Sequence, residues 1–245
     1  MRTPLARCRT FPNWCWSQIV THVCCISSQT FLKRLQHERG RNEAGVELNF
    51  ATNVLGCYLL TKGLAPALAA TAAANASGGD AHESRFTPRV VMVSSAGMLT
   101  EKLDPSDLQL DRWRKFDGTR AYSLNKRAQV LLAERWAKDQ AVGGIATPGV
   151  FYSSMHPGWS DTEAVKTALP DFYERQQSTL RSPEQGADTA LWLAAANDVD
   201  TDNTNGEFFE DRAVTRKHLW GCWTQSSTED VDSLLSQCEA LLTAT

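Results

Sequence analysis

Two Tyr-x-x-x-Lys pairs occur in the chain, Tyr58–Lys62 and Tyr122–Lys126. On a helix this spacing puts both side chains on one face, one turn apart. A lysine ammonium beside a phenol favours the phenolate and draws a pKa near ~10 towards neutrality. Such a pair can give or take a proton while a carbonyl is reduced or an alcohol oxidised. Both pairs satisfy the spacing, so the surrounding elements must choose between them.

Tyr122 stands between two segments that read as buried parallel strands. "RVVMVSS", residues 89–95, is rich in β-branched residues and ends at Ser94–Ser95–Ala96–Gly97. "GVFYSSMHPG", residues 149–158, ends at a His156–Pro157–Gly158 turn. Between them lie a long polar connection, which reads as a functional loop, and a helix over 119–139 with Thr119 as its cap. In an open parallel sheet the carboxyl ends of neighbouring strands line the ligand crevice. Both strand ends and the start of the Tyr122 helix are therefore expected to converge. No serine-bearing strand end precedes Tyr58, which reads as a helix residue facing the core or the sheet.

The remaining elements alternate. A helical stretch, residues 46–74, begins "VELNFATN", with a kink or break possible at Pro66. A helix over 182–196 has Ser182 as cap and Pro183 at its first position. A short strand over 206–211 and a closing helix over "STEDVDSLLSQCEALL" complete the order. This alternation predicts an α/β domain with a parallel sheet and helices on both faces.

"VSSAG", "YSLNK" and "HPGWSDT", in this order, resemble the short-chain dehydrogenase/reductase family. "NFATNVLG" resembles that family's asparagine-bearing helix, and "LRSPEQGADTALWLA" and "GEFFEDR" are similar to one of its subgroups. The resemblance spans roughly residues 41–240. It implies a Rossmann-like fold, NADP or NAD as coenzyme, and a small carbonyl or alcohol substrate, often lipophilic. Tyr122 would then donate the proton in reduction or accept it in oxidation. Lys126 would tune Tyr122 and hold the ribose of the nicotinamide half. Ser95 would polarise the substrate carbonyl, and Asn53 would order a water leading to the lysine. Pro157, Gly158 and Thr162 would receive the nicotinamide amide. Family members also dimerise through the Tyr122 helix, although "QVLLAERWA" can equally pack inward. Each residue has a plainer role as well. Ser94–Ser95 can end a strand, Asn53 can bond local backbone, Lys126 can be a solvated charge, Pro157–Gly158 can be only a turn, and Thr162 can cap a helix.

The family's Gly-x-x-x-Gly-x-Gly turn aims backbone N–H groups at a pyrophosphate. Here no two of the 15 glycines are separated by one residue. The expectation is an N-terminally truncated Rossmann-like domain over 41–245, with the first βαβ units missing. Its nicotinamide half is encoded and its pyrophosphate half is not, so dinucleotide binding should be weak. The alternative is a non-catalytic remnant or interaction protein. Residues 1–40 form an atypical segment with no acidic residue before Glu38. It reads either as a mitochondrial transit peptide or as sequence not native to the fold. "QIVTHVCC", residues 18–25, is expected to pair along the otherwise free edge of strand 89–95.

Composition sets the remaining bounds. A formal net charge of −3 leaves no electrostatic footprint for nucleic acid. No apolar run reaches about 18 residues, so no transmembrane segment is expected. The odd count of 7 cysteines, without a Cys-x-x-Cys, argues against a disulfide framework or a metal site. Reduced thiols suit the cytoplasm, with the mitochondrion as the alternative.

Overall fold

A computed structural model of the chain describes residues 23–26, 37–77, 87–140 and 145–243. Its centre is a five-stranded sheet in the order β1-β2-β3-β4-β5. The strands are β1 (Val23–Ile26), β2 (Arg89–Val93), β3 (Phe151–Met155), β4 (Phe208–Glu210) and β5 (Ala213–Val214). The first four are parallel, and β5 pairs antiparallel with β4. β1 runs beside β2 from Val23↔Arg89 to Ile26↔Met92. The expected edge pairing is thus present for Val23–Cys25, while residues 18–22 lie outside the described residues.

Every residue of β2 and β3 is buried, as interior parallel strands require. Their side chains alternate between two cores. Val90, Met92 and Tyr152 face a large cluster with Phe50, Val54, Leu132, Trp136 and Leu234. Val91, Val93, Phe151 and Met155 face a smaller one with Leu193 and Phe209. Helices α1 (Leu48–Ala76), α2 (Gly118–Lys138) and α6 (Thr228–Thr243) cover the first face, and α5 (Pro183–Ala195) covers the second. This is the Rossmann-like arrangement the alternation predicts. By length and composition alone α1 is long and apolar enough to cross a membrane. Here its Phe50, Val54, Leu55, Tyr58 and Leu68 belong to the large core.

Helix boundaries follow their caps. α1 begins at Leu48, close to the expected start at Val46, because the buried Glu47 carboxylate accepts from the N–H groups of Asn49 (2.9 Å) and Phe50 (2.7 Å). It continues through Pro66, and its second turn, Ala51–Leu55, is a π turn. α2 is capped by Asp117, not Thr119: Asp117 Oδ1 accepts the Arg120 N–H at 3.0 Å. α5 carries the expected Ser182 cap, completed into a capping box by Gln185. α6 has a box as well. The Asp230 N–H donates to Ser227 Oγ at 3.2 Å, and the Ser227 N–H to Asp230 Oδ2 at 2.9 Å.

Beyond β3 the chain forms two short helices that hydrophobic periodicity did not reveal, α3 (Glu163–Ala168) and α4 (Pro170–Gln176). The single strand expected over 206–211 is instead a hairpin of β4 and β5. It turns at Asp211 and Arg212, with φ of 50° and 60°. Two adjacent positive-φ residues give the tight turn whose twist matches paired strands. Side-chain ion pairs hold these unfavourable conformations: Arg181 with Asp211, and Arg212 with Asp188.

Candidate active site

The carboxyl ends of β2 and β3 and the early turns of α2 do converge. Ser94, the first residue past β2, is buried, and its hydroxyl donates to the Lys126 carbonyl at 2.9 Å. Its N–H donates to Met155 O at 2.7 Å, which carries the β2–β3 ladder one residue further. Ser95 is half-buried and extended, and its Oγ accepts the Gly97 N–H at 3.3 Å. This bond caps a short 3-10 turn, Ala96–Thr100. A Cβ at Gly97 would lie 2.6 Å from Ser123 Oγ, so the Ser95 loop rests directly on the turn of α2 that holds Tyr122. Ser94 therefore fastens β2 to α2, and Ser95 is left half-buried just past the end of β2.

Lys126 is fully buried. Its ammonium donates to the Val93 carbonyl at 2.9 Å and to Gln129 Oε1 at 3.2 Å, and sits 5.2 Å from the centre of the Tyr122 ring. Burial pushes its pKa down to about 8, with the nearby Cys57 thiol opposing the shift. It is not a solvated helix charge. Tyr122 is half-buried, and burial pushes its phenol above the ordinary value. The sequence argument expects Lys126 to lower the Tyr122 pKa, and in this structure the shift runs the other way. The ammonium is held at the end of β2, beside the face of the ring. Among the described residues no hydrogen bond joins the Tyr122 hydroxyl to Ser95.

Asn53 lies buried in the π turn of α1. Its side-chain Nδ2 donates to Asn49 O at 3.0 Å, the local bond expected of an in-helix asparagine. Its main-chain carbonyl turns towards α2, where it accepts from Gln129 Nε2 at 2.7 Å. The link from Asn53 to Lys126 is therefore a glutamine side chain, in the place where the family resemblance puts a water.

The third strand end supplies a rigid turn. Gly158 has φ of +74°, a region that favours glycine, and a Cβ there would lie 2.6 Å from the Arg181 guanidinium. Arg181 bonds Asp211 at 2.6 and 2.9 Å and reaches the Pro157 carbonyl at 3.4 Å. Thr162 Oγ1 accepts the Val165 N–H at 3.3 Å and caps α3. His156 is buried, and its Nδ1 accepts the Ala96 N–H at 3.1 Å, which ties the β3 loop to the β2 loop. Burial, with the Arg181 charge as the second cause, pushes its pKa down to about 4. His156 is thus neutral near pH 7 and carries its proton on Nε2. Gln129, His156 and Arg181 were not singled out from sequence. Gln129 lies three residues past Lys126, on the same helix face, and that spacing is the signal available for it.

The competing pair resolves as the sequence argument requires. Tyr58 is buried in the large core, and its hydroxyl donates to Glu239 Oε1 at 2.6 Å. Lys62 pairs with the same carboxylate at 2.5 Å. Both are used in docking α6 on α1.

Over 205 residues the chain is 42% identical to dehydrogenase/reductase SDR family member 12 from Homo sapiens, across 84% of this chain and 57% of that protein. The chain belongs to the short-chain dehydrogenase/reductase family. The protein of the same name from Bos taurus is 43% identical over the same coverage. This chain spans a little over half the length of these curated relatives. No family model matches it. The solved structure of an uncharacterized protein from Mycobacterium paratuberculosis superposes with a TM-score of 0.56 at 21% identity. It covers 84% of this chain and 62% of that one, and supports the fold. The two curated relatives are, by name, dehydrogenase/reductases.

Proposed function

We propose that this chain carries the acid–base half of a short-chain oxidoreductase site, one that interconverts a small apolar carbonyl compound and its alcohol. The observation that carries the proposal is the buried ammonium of Lys126 beside the Tyr122 ring, where β2 ends and α2 begins. A cation is kept out of water there, at a desolvation cost.

In reduction, Tyr122 gives its proton to the carbonyl oxygen and takes it back in oxidation. Ser95, half-buried just past the end of β2, donates to the same oxygen and polarises it. Lys126 stabilises the Tyr122 phenolate when its ammonium swings from Val93 to the hydroxyl. Asn53 acts through its main-chain carbonyl, which holds Gln129 and so Lys126. When bound, NADPH or NADH supplies the hydride. Tyr122, Lys126, Pro157, Gly158 and Thr162 suit the nicotinamide half of that coenzyme, as donors and a tight turn at two strand ends. No Gly-x-Gly in these 245 residues suits its pyrophosphate. A chain of this sequence alone therefore binds dinucleotide weakly.

The test is a titration of the purified chain with NADPH and NADH, followed by reduction of a panel of apolar aldehydes and ketones. Weak, non-saturating binding is expected at micromolar coenzyme, and saturation there overturns that part of the reading. Whatever turnover is seen should vanish in Tyr122→Phe. Turnover that survives this change refutes the acid–base assignment. A second reading, a binding protein without coenzyme chemistry, is favoured by the missing phosphate turn. It predicts no turnover with any carbonyl at any coenzyme concentration.

A further inference from the structure

We infer that Gln129 is the positioning residue for Lys126: its side-chain amide connects the lysine ammonium directly to the main-chain carbonyl of Asn53. The inference rests on the proposed role of Lys126.

Gln129 is fully buried on α2, three residues beyond Lys126 and on the same helix face. Its two amide ends are used in the one orientation that chemistry allows. An ammonium only donates, so Gln129 Oε1 must face Lys126 Nζ, at 3.2 Å. A carbonyl only accepts, so Nε2 must face Asn53 O, at 2.7 Å. The second amide proton points to Cys57 Sγ at 3.3 Å. The Asn53 carbonyl belongs to the π turn Ala51–Leu55, and such turns redirect main-chain groups away from the regular helical ladder. One side chain thus spans the gap between α1 and the lysine of α2.

A direct bridge has two consequences. It fixes Lys126 laterally, with the ammonium placed between the Val93 carbonyl and the neighbouring phenol. It also gives the charged form of the amine an acceptor that cannot diffuse away, which opposes the effect of burial. Cys57 on α1 and Tyr122 on α2 are titratable groups that face Lys126. The Gln129 amide oxygen is one of the acceptors that support its charge.

The experiment follows Lys126 by NMR in the full chain labelled with 13C at lysine Cε, the signal being assigned by its loss in Lys126→Met. Gln129→Leu keeps the packing and removes the acceptor; it should lower the Lys126 pKa by about one unit. Gln129→Glu replaces the amide by a carboxylate and should raise it by at least as much. Shifts of opposite sign are the signature, since a purely packing role moves both variants the same way or neither. If neither variant folds, the wild-type chain still decides. The Gln129 side-chain amide should exchange slowly and show no cross-relaxation with water. Fast exchange, a water contact, or an unmoved Lys126 titration overturns the inference. These readouts need no turnover. A chain inert towards every carbonyl can still confirm the bridge, and an active chain with an unmoved Lys126 refutes the bridge while leaving the proposed function standing.

Discussion

Lys126 should make this fold more stable as the solution becomes moderately alkaline. Its pKa is 10.5 in the unfolded chain and about 8 in the fold. The unfolded chain therefore binds more protons between these values, and stability rises with pH across the window. Read in the other direction, the contribution is present above 10.5 and lost as pH falls through 8. At pH 7 nearly the whole gap counts, and the ionised amine costs the fold about 3 kcal/mol. At pH 9 the folded amine is mostly neutral while the unfolded one is still charged, and the cost drops to about 2 kcal/mol. Lys126→Met removes this cost but strips a donor from Val93 O and Gln129 Oε1, an offset of about 1–2 kcal/mol. The variant should therefore be about 1–2 kcal/mol more stable than wild type at pH 7, with that advantage shrinking by about 1 kcal/mol at pH 9. Urea unfolding at pH 7, 8 and 9, followed by circular dichroism, measures the difference directly. Tyr58, Tyr152 and Cys238, whose burial raises their pKa values, pull the other way at alkaline pH. They do so equally in both proteins, so the difference isolates Lys126 and its neighbours. A difference that stays flat from pH 7 to 9 would show that the amine is not desolvated in the way its burial implies, and the argument would fail.

Two further outcomes test the scaffold around the site. Glu47→Ala leaves the buried N–H groups of Asn49 and Phe50 and the Asn49 Nδ2 without the carboxylate they now bond; it should cost about 2–3 kcal/mol and lower the melting temperature by about 6–10 °C, and a shift within a degree of wild type contradicts the cap. His156 has a pKa depressed from 6.5 to about 4, so the stability it contributes is present above 6.5 and lost as pH falls through 4; His156→Gln should flatten the decline in unfolding free energy between pH 6.5 and 4 by about 2 kcal/mol, and an unaltered acid limb means the histidine is solvated.

The parts of this fold that were legible in sequence are those where local chemistry decides. Ser182–Pro183 with Gln185 three residues on fixes the start of α5 without outside help. The β-branched run of β2 is buried on both sides and reads the same in any parallel sheet. The cap of α2 was misplaced by two residues. Asp117 caps it instead of the expected Thr119, because its carboxylate reaches the Arg120 N–H. The β4–β5 turn was hidden because Arg212 is a poor residue for positive φ, and what holds the turn is contributed by Arg181 and Asp188, 30 and 24 residues away. The site divides in the same way. Tyr122 and Lys126 are picked out by their spacing together with the strand ends on either side of their helix. Gln129 gains its meaning only when the π turn of another helix brings a carbonyl to it, a contact 76 residues away in sequence.

Among the described residues three basic side chains are buried beside this sheet, and comparing them supports Lys126 as the one proposed for chemistry. Arg127 is held by the carbonyls of Glu101 at 3.0 Å and Lys217 at 2.8 Å, and Arg89 by that of Leu193 at 2.7 Å. Lys126 is held by that of Val93. All three have pKa values lowered by burial, the two arginines to about 10. An arginine at that value keeps its charge throughout the neutral range, so Arg89 and Arg127 serve as permanent staples between segments. Lys126, at about 8, is neutral in roughly one molecule in ten at pH 7. It is also the cation that lies against a tyrosine ring at the ends of two parallel strands. Packing alone would be served as well by methionine, without the cost of desolvating a charge. What methionine cannot do is exchange a proton beside Tyr122, and local rules of stability are broken mostly where function requires it.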